Sequence, residues 1–175
     1  MTQDIQQKID SHAAWLREIM GLPFEQNNLS VDDMINIVNR LNGTVEFFTG
    51  GGQYERVEKV SDESFAIWIN ETNAPARQKL SIAHELGHLF IDMQYRTDAW
   101  AAVEVGASYE RDGSGPFEVA ANVFATAFLM PKEQYLQIAE STSDENFYYP
   151  QEIAKEFRIP EDVAHERGRA LGLWT

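Results

Sequence analysis

The stretch SIAHELGHLF, residues 81–90, constrains the fold of this chain more than any other, because its chemistry depends on a helix. His84 and His88 are four residues apart, and in an α-helix residues at that spacing lie on the same face. Two imidazoles can then bind one cation, and Glu85 beside the first can accept a proton from a water molecule at the metal. The spacing therefore predicts a helix over residues 77–92 that carries two ligands of a metal site.

A metal site of this kind needs a third protein ligand from elsewhere in the chain. The other two histidines, His12 and His165, lie in stretches that do not resemble a site. Asp92 lies one turn beyond the second histidine of the motif, where it can support a ligand or simply be the carboxylate at a helix end. Glu118 is the preferred candidate, because it stands at the start of the next long apolar helix, over residues 117–130.

Two alternatives remain open when these residues are taken alone. The histidine pair could belong to an ordinary amphipathic helix without a metal, and Glu118 could be a first-turn carboxylate that the helix dipole favours. If Glu118 faces the core, Asn122 lies one turn further along the same helix. Its side chain can then hydrogen-bond a ligand histidine and fix the tautomer. Asn122 is therefore predicted to orient a ligand and not to bind the metal itself.

The segment before the metal helix has the pattern of β-strands. Residues 44–48, 54–60 and 65–70 are β-rich or alternate in polarity, and turn sequences separate them. Their order predicts a small three-stranded antiparallel sheet. The third strand is either an ordinary core strand or a sheet edge to which an extended peptide can add. Apolar residues at helical spacing predict further helices over residues 3–20, 31–41, 132–140, 151–157 and 161–171.

Two longer stretches, FAIWINETNAPARQKLSIAHELGH and EVAANVFATAFLMP, resemble the ImmA/IrrE family of metallopeptidases. The resemblance extends into the helical tail and covers roughly residues 30–171. It implies that His84, His88 and Glu118 bind one Zn²⁺ per chain and that Glu85 is the catalytic base. The enzyme is then gluzincin-like, with an HExxH motif and a glutamate as the third ligand.

The resemblance also implies a fold and a substrate class. The fold is α+β and zincin-like, with the small antiparallel sheet packed on two zinc-binding helices. We expect an N-terminal helical extension (1–29), a metallopeptidase core (30–140) and a C-terminal helical segment (141–175) that packs on the core. Family members are associated with phages, mobile elements and stress responses, where they cleave a helix-turn-helix transcriptional repressor. A non-catalytic anti-repressor that binds its partner through the same surface is the alternative.

The composition restricts the partners and the compartment. The chain has no cysteine, which excludes disulfides, thiolate zinc ligands and a cysteine nucleophile. Its formal charge of −14 disfavours binding to nucleic acid or anionic lipid and favours a basic partner protein. No stretch is apolar enough to be a signal peptide or to span a bilayer, so we expect a cytoplasmic protein. The helical tail has the rhythm of a DNA-binding module, but its basic and acidic residues nearly balance.

The sequence leaves two features of the chemistry undecided. Manganese or cobalt can occupy the same ligands as zinc. A group that stabilises the transition state is also needed, and several side chains could reach over the metal. These candidates are Tyr95, Tyr109, Arg111, Tyr148, Tyr149 and His165.

Overall fold

The computed structural model describes residues 2–110, 115–144 and 147–174. These residues form an α+β fold, as predicted, with eight α-helices and a four-stranded sheet. A π-helical turn, His88–Asp92, follows α3 directly. In the described part of the chain, no helix is long and apolar enough to cross a membrane. The helices are α1 (Gln3–Ile19), α2 (Val31–Arg40), α3 (Pro75–Gly87), α4 (Asp98–Ala102), α5 (Pro116–Leu129), α6 (Lys132–Thr142), α7 (Pro150–Phe157) and α8 (Glu161–Ala170), and the strands are β1 (Gly43–Phe48), β2 (Arg56–Lys59), β3 (Phe65–Asn70) and β4 (Ser108–Glu110).

The sheet is mixed, and its strand order is β1-β3-β2-β4. β3 pairs in parallel with β1 and antiparallel with β2, which also pairs antiparallel with β4. The prediction of three antiparallel strands in hairpin order is therefore wrong. The glycine-rich stretch after β1 is a connection that passes the position of β3 before β2 begins. Alternation along a strand shows which residues are buried, but it does not show which strand lies beside it.

β3 occupies the interior of the sheet because it is the most apolar strand. Phe65, Ile67 and Ile69 are almost completely buried. Both edges of β3 are paired, so the alternative in which this strand binds an extended peptide is wrong. The sheet edges are β1 and β4. The sequence gives no strand signal for β4, because Ser-Tyr-Glu is too short and too polar.

Helix α3 contacts the sheet through β2 and β3 and also contacts α5, so it lies at the centre of the fold. α1 packs against α5. Its side chains Ala13 and Leu16 are fully buried and belong to the same hydrophobic core as Leu86 and Phe124 of the two central helices. The N-terminal helix is therefore part of the packing that holds α5 in position.

Helix α2 begins at the residue that the sequence predicts. The Ser30 hydroxyl accepts a hydrogen bond from the Asp33 amide at 3.1 Å, and the Asp33 carboxylate accepts one from the Ser30 amide at 2.8 Å. These reciprocal bonds satisfy two of the amides that a helix start leaves without partners. The capping box explains why a short polar run is followed by a regular helix.

The C-terminal helices pack onto the core. The Tyr135 hydroxyl of α6 donates to the Ala164 carbonyl of α8 at 2.6 Å. Arg167 of α8 is buried, donates to the Met130 carbonyl at 3.2 Å and forms an ion pair with Asp10 of α1 at 3.0 Å. These contacts connect α8 to α6, to the end of α5 and to α1.

Lys79 of α3 is a buried cation, and it gives the stability of the protein a pH dependence. Its ammonium group donates to the Leu29 carbonyl at 2.9 Å and to the Phe157 carbonyl at 2.7 Å. Burial, together with the charge of Arg158, lowers the pKa of Lys79 to about 8 from its usual 10.5. Between these two values the unfolded chain binds a proton that the folded chain does not, so the stability contributed by Lys79 rises with pH.

We expect the difference in unfolding free energy between the parent and a Lys79→Met variant to shift by about 2 kcal/mol in favour of the parent from pH 7.5 to pH 10. Denaturant unfolding at both pH values measures this difference. Comparison with the variant removes the contributions of all other titrating groups. A difference that does not change with pH would show that the pKa of Lys79 is not lowered.

Candidate metal centre

The first part of the centre is the C-terminal half of α3 and the π-helical turn after it. Pro75 is the first residue of α3, where its missing amide costs nothing, and all residues from Lys79 to Gly87 are buried. His84 and Glu85 lie in the last turns, and His88 begins the π-helical turn. All three side chains are at most 1% exposed. The predicted helix over residues 77–92 is thus present, but its last five residues are wound more widely.

The second part of the centre is the first turn of α5. Glu118 lies in that turn, with Pro116 as the first helical residue. α5 crosses α3 at Gly87, where a Cβ atom would lie only 2.8 Å from the Ala121 Cα and 3.0 Å from its carbonyl oxygen. This close approach is possible only without a side chain at residue 87. It places Glu118 opposite the two histidines.

The ligand atoms of His84, His88 and Glu118 all lie within 4.8 Å of one another. The two Nε2 atoms are 3.1 Å apart. The Glu118 Oε1 atom is 3.1 Å from the His88 Nε2, and its Oε2 atom is 3.4 Å from the His84 Nε2. The structure therefore brings together the three residues that the sequence analysis names as ligands, in an arrangement that could hold a metal ion.

Each histidine is held from behind by a side-chain oxygen. The His84 Nδ1 atom is 2.9 Å from the Asn122 Oδ1, and the His88 Nδ1 atom is 2.6 Å from the Asp92 Oδ2. Both oxygens accept hydrogen bonds, so each ring carries its proton on Nδ1 and keeps a lone pair on Nε2. Asp92 thus contacts the imidazole of His88, which decides between the two roles that the sequence leaves open for it.

The donor set fits a divalent cation. Two imidazole lone pairs and a carboxylate converge in a buried space, and these groups repel one another unless a positive charge lies between them. Two nitrogens and one oxygen from three side chains are the ligand set of a catalytic zinc site, in which the fourth position is open. The arrangement could also bind other transition metals with a preference for nitrogen and oxygen.

Tyr109 covers one face of a ligand. Its ring stacks on the His88 imidazole with centroids 5.7 Å apart and planes inclined by 22°. Tyr109 pairs with Val57 across the two neighbouring strands, and Val57 is fully buried on the inner face of the sheet. The edge strand β4 therefore directs this tyrosine toward His88 and the other two candidate ligands. No local sequence signal predicts this contact, because it depends on the pairing of β4.

The other candidates for transition-state stabilisation contact residues outside the metal centre or are not described. Tyr95 is a core residue whose hydroxyl donates to the Leu41 carbonyl at 2.5 Å. Tyr149 donates to Asp144 near the C-terminal helices. The Tyr148 and His165 rings both pack beside Trp174. Arg111 lies outside the described residues.

The sequence profile of a known peptidase family matches most of the chain. This family is peptidase M78, described as the IrrE N-terminal-like domain, and the match covers residues 40–168 with all four strands and both ligand helices. The chain belongs to this family. Membership supports a metallopeptidase-type activity and confirms the resemblance seen in the sequence. No curated protein gives a significant match to the chain.

The region matched by the M78 profile includes His84, His88 and Glu118, and it leaves α1 outside. One contributor to the site that the sequence analysis misses is Gly87, which has no ligand atom. A glycine within a helix costs about 1 kcal/mol relative to alanine, so its presence beside His88 is a signal of close packing.

In this M78 domain, Asn122→Ala is expected to weaken the binding of a divalent metal ion, with zinc as the probe, by roughly 10- to 100-fold, because His84 loses the acceptor that orients it. Competition with a chromogenic chelator measures the affinity. Asn39→Ala, an exposed substitution on α2, is the matched control and is expected to bind zinc like the parent. Equal affinities for all three proteins would exclude an orienting role for Asn122.

Proposed function

We propose that this protein is a zinc-dependent, gluzincin-like endopeptidase that cleaves a partner protein. The observation that carries the proposal is the convergence of His84, His88 and Glu118, with Glu85 next to the first ligand on the same buried helix. Membership of a peptidase family supports hydrolysis of a peptide bond as the reaction. The zincin-like packing of the sheet on the two ligand helices is part of the same proposal.

The residues of the chain have separate roles in this reaction. His84, His88 and Glu118 would hold the zinc ion, which would supply Lewis acidity for a scissile carbonyl and for a water molecule. Asn122 and Asp92 hold the two imidazoles in the orientation that presents Nε2. Glu85 accepts a proton on a carboxylate oxygen as the water attacks, and it returns this proton to the nitrogen of the leaving amine.

The proposed substrate is a helix-turn-helix transcriptional repressor, whose cleavage relieves repression. The sequence resemblance to the ImmA/IrrE family supports this choice. The formal charge of −14 also supports it, because DNA-binding proteins carry basic surfaces that an acidic protein attracts. A cytoplasmic location, where such a repressor acts, belongs to the same proposal.

Metal content and cleavage together test the proposal. We expect about one zinc per chain in the parent, by plasma mass spectrometry, and at least about tenfold less in Glu118→Ala, which removes one of three ligands. The parent loaded with zinc is expected to cut a repressor encoded next to its gene, and Glu118→Ala is not. Glu133→Ala, an exposed glutamate of α6, is the control for both measurements.

Two results would contradict the proposal. A folded parent that does not bind zinc even when it is supplied would exclude the metal centre. Equal cleavage by the parent and by Glu118→Ala would show that hydrolysis does not depend on this cluster.

A further inference from the structure

A groove of about 900 Å³ lies on the surface between α3, α5 and α8, beside the metal centre and not within it, because none of His84, His88 and Glu118 lines it. Leu80 lies one helical turn before His84, and Asn122 lies one turn after Glu118. Residues four apart lie on the same helix face. Leu80 therefore lies on the face of α3 that carries His84, and Asn122 lies on the face of α5 that carries Glu118. Asn122 belongs to both places, because it lines the groove and also contacts His84.

The groove has the size and the lining of a site for an extended peptide segment. Its volume lies in the range of ligand-binding clefts. Leu80 of α3 and Val163 of α8 supply apolar surface, and Thr126 belongs to the lining along α5. Such a groove can bury apolar side chains of a segment while polar groups at its rim fix the direction of the chain.

The rim of the groove is acidic on the side of α8. Glu161, Asp162 and Glu166 line it together with His165, and Arg77 lines the groove from α3. Arg77 and Asp162 form an exposed ion pair at 3.0 Å across the groove. Exposed pairs of this kind contribute at most about 1 kcal/mol, so an incoming cation can replace Arg77 with little loss.

Charge selects among the possible occupants. Asp162 is paired with Arg77, and Glu166 is paired with Arg169 at 3.2 Å, whereas Glu161 forms no ion pair among the described residues. Three carboxylates against two guanidinium groups leave the rim negative. Nucleic acid and anionic lipid are repelled by this rim. A second copy of this chain is disfavoured because each copy carries a formal charge of −14. A polypeptide with basic side chains matches both the rim and the apolar lining.

We propose that this groove binds a segment of the substrate polypeptide that combines apolar and basic side chains and lies next to the bond to be cut. The inference rests on the proposed peptidase function for the identity of the ligand as substrate. The binding itself does not depend on turnover, so it can be measured separately. Glu161 and Glu166 are then specificity-determining residues, which act at a distance from the metal ligands.

The test uses two synthetic pools of ten-residue peptides. In both pools, Leu, Val, Phe and Ala occur at random at most positions. The remaining positions are Lys in one pool and Glu in the other. Zinc-loaded Glu85→Gln protein is immobilised so that peptides are not consumed, and retained peptides are counted by mass spectrometry. We expect the Lys pool to be retained at least about fivefold more strongly, with a preference that weakens as salt screens the charges.

A matched pair of variants separates the groove from the overall charge of the protein. Glu161→Gln/Glu166→Gln is made in the same background, and Glu25→Gln/Glu46→Gln changes two exposed glutamates away from the groove by the same total charge. The groove variant is expected to lose most of the preference for Lys, and the control variant is expected to keep it. Thermal unfolding and zinc content confirm that all variants remain folded and loaded.

The outcomes distinguish this inference from the proposed function. Equal preference for Lys in the groove variant and in the control would overturn the groove proposal, even if the parent cleaves a repressor. No retention of either pool would overturn it as well. Loss of the preference in the groove variant alone, together with a parent that cleaves no repressor, would leave the groove as a peptide site and contradict the peptidase assignment.

Discussion

Glu85→Gln is expected to lower kcat/KM for peptide-bond hydrolysis by 10²- to 10⁴-fold while zinc content stays at the level of the parent. Glutamine has nearly the same shape as glutamate, but its amide cannot accept the proton of the attacking water. His84, His88 and Glu118 remain unchanged, so the metal cluster keeps all its ligands. Initial rates of repressor cleavage and plasma mass spectrometry give the two quantities.

The control for this substitution is Glu133→Gln, at an exposed position of α6, which is expected to cleave at the rate of the parent. If Glu85→Gln cleaves as fast as the parent, the general base is another group. If neither the parent nor Glu85→Gln cleaves the repressor, and both bind it with the same affinity, the non-catalytic anti-repressor is the correct function. The variant therefore also decides between the two functions that the sequence leaves open.

Gly87→Ala is expected to destabilise the fold by about 2 kcal/mol and to weaken zinc binding. In an ordinary helix the same change stabilises by up to about 1 kcal/mol, because alanine has the higher helix propensity. Here the added Cβ would lie 2.8 Å from the Cα of Ala121, which is backbone and cannot turn away like a flexible side chain. α3 and α5 must separate, and Glu118 then moves away from the two histidines.

Denaturant unfolding and chelator competition measure the two effects of Gly87→Ala. Gly51→Ala is the control, because a Cβ at that exposed glycine meets no atom within 4 Å and its backbone is not left-handed. The control is expected to differ from the parent by less than about 1 kcal/mol and to bind zinc normally. Stabilisation of the protein by Gly87→Ala would show that the helices can move apart without loss, and that the close crossing does not define the metal centre.

The features of the protein that depend on local geometry could be predicted from the sequence. Apolar residues at helical spacing predict α1, α2, α5, α7 and α8 to within a few residues of their ends, because the period of a helix is fixed by its backbone. The same period places His84 and His88 on one face. The choice of Glu118 needed only the start of the next apolar helix and the family resemblance.

The π-helical turn that begins at His88 could be predicted from the sequence only in part. The spacing of Asp92 from His88 is visible in the sequence, but a regular helix and a wider turn place that carboxylate differently. In the structure the turn is closed by a hydrogen bond from the Met93 amide to the His88 carbonyl, and Asp92 contacts the imidazole. His88, Leu89 and Phe90 of this turn are buried, so its winding reflects the packing as well as the local residues.

The sequence by itself determined which residues could bind the metal and that two of them share a helix, since both properties belong to short segments. Only the tertiary structure decided the strand order, the stacking of Tyr109 on His88 and the approach of α5 to Gly87. These contacts join residues far apart in the chain, and many pairings are compatible with the same local patterns. The packing of the whole core selects one of them, and that selection brings Glu118 to the histidines.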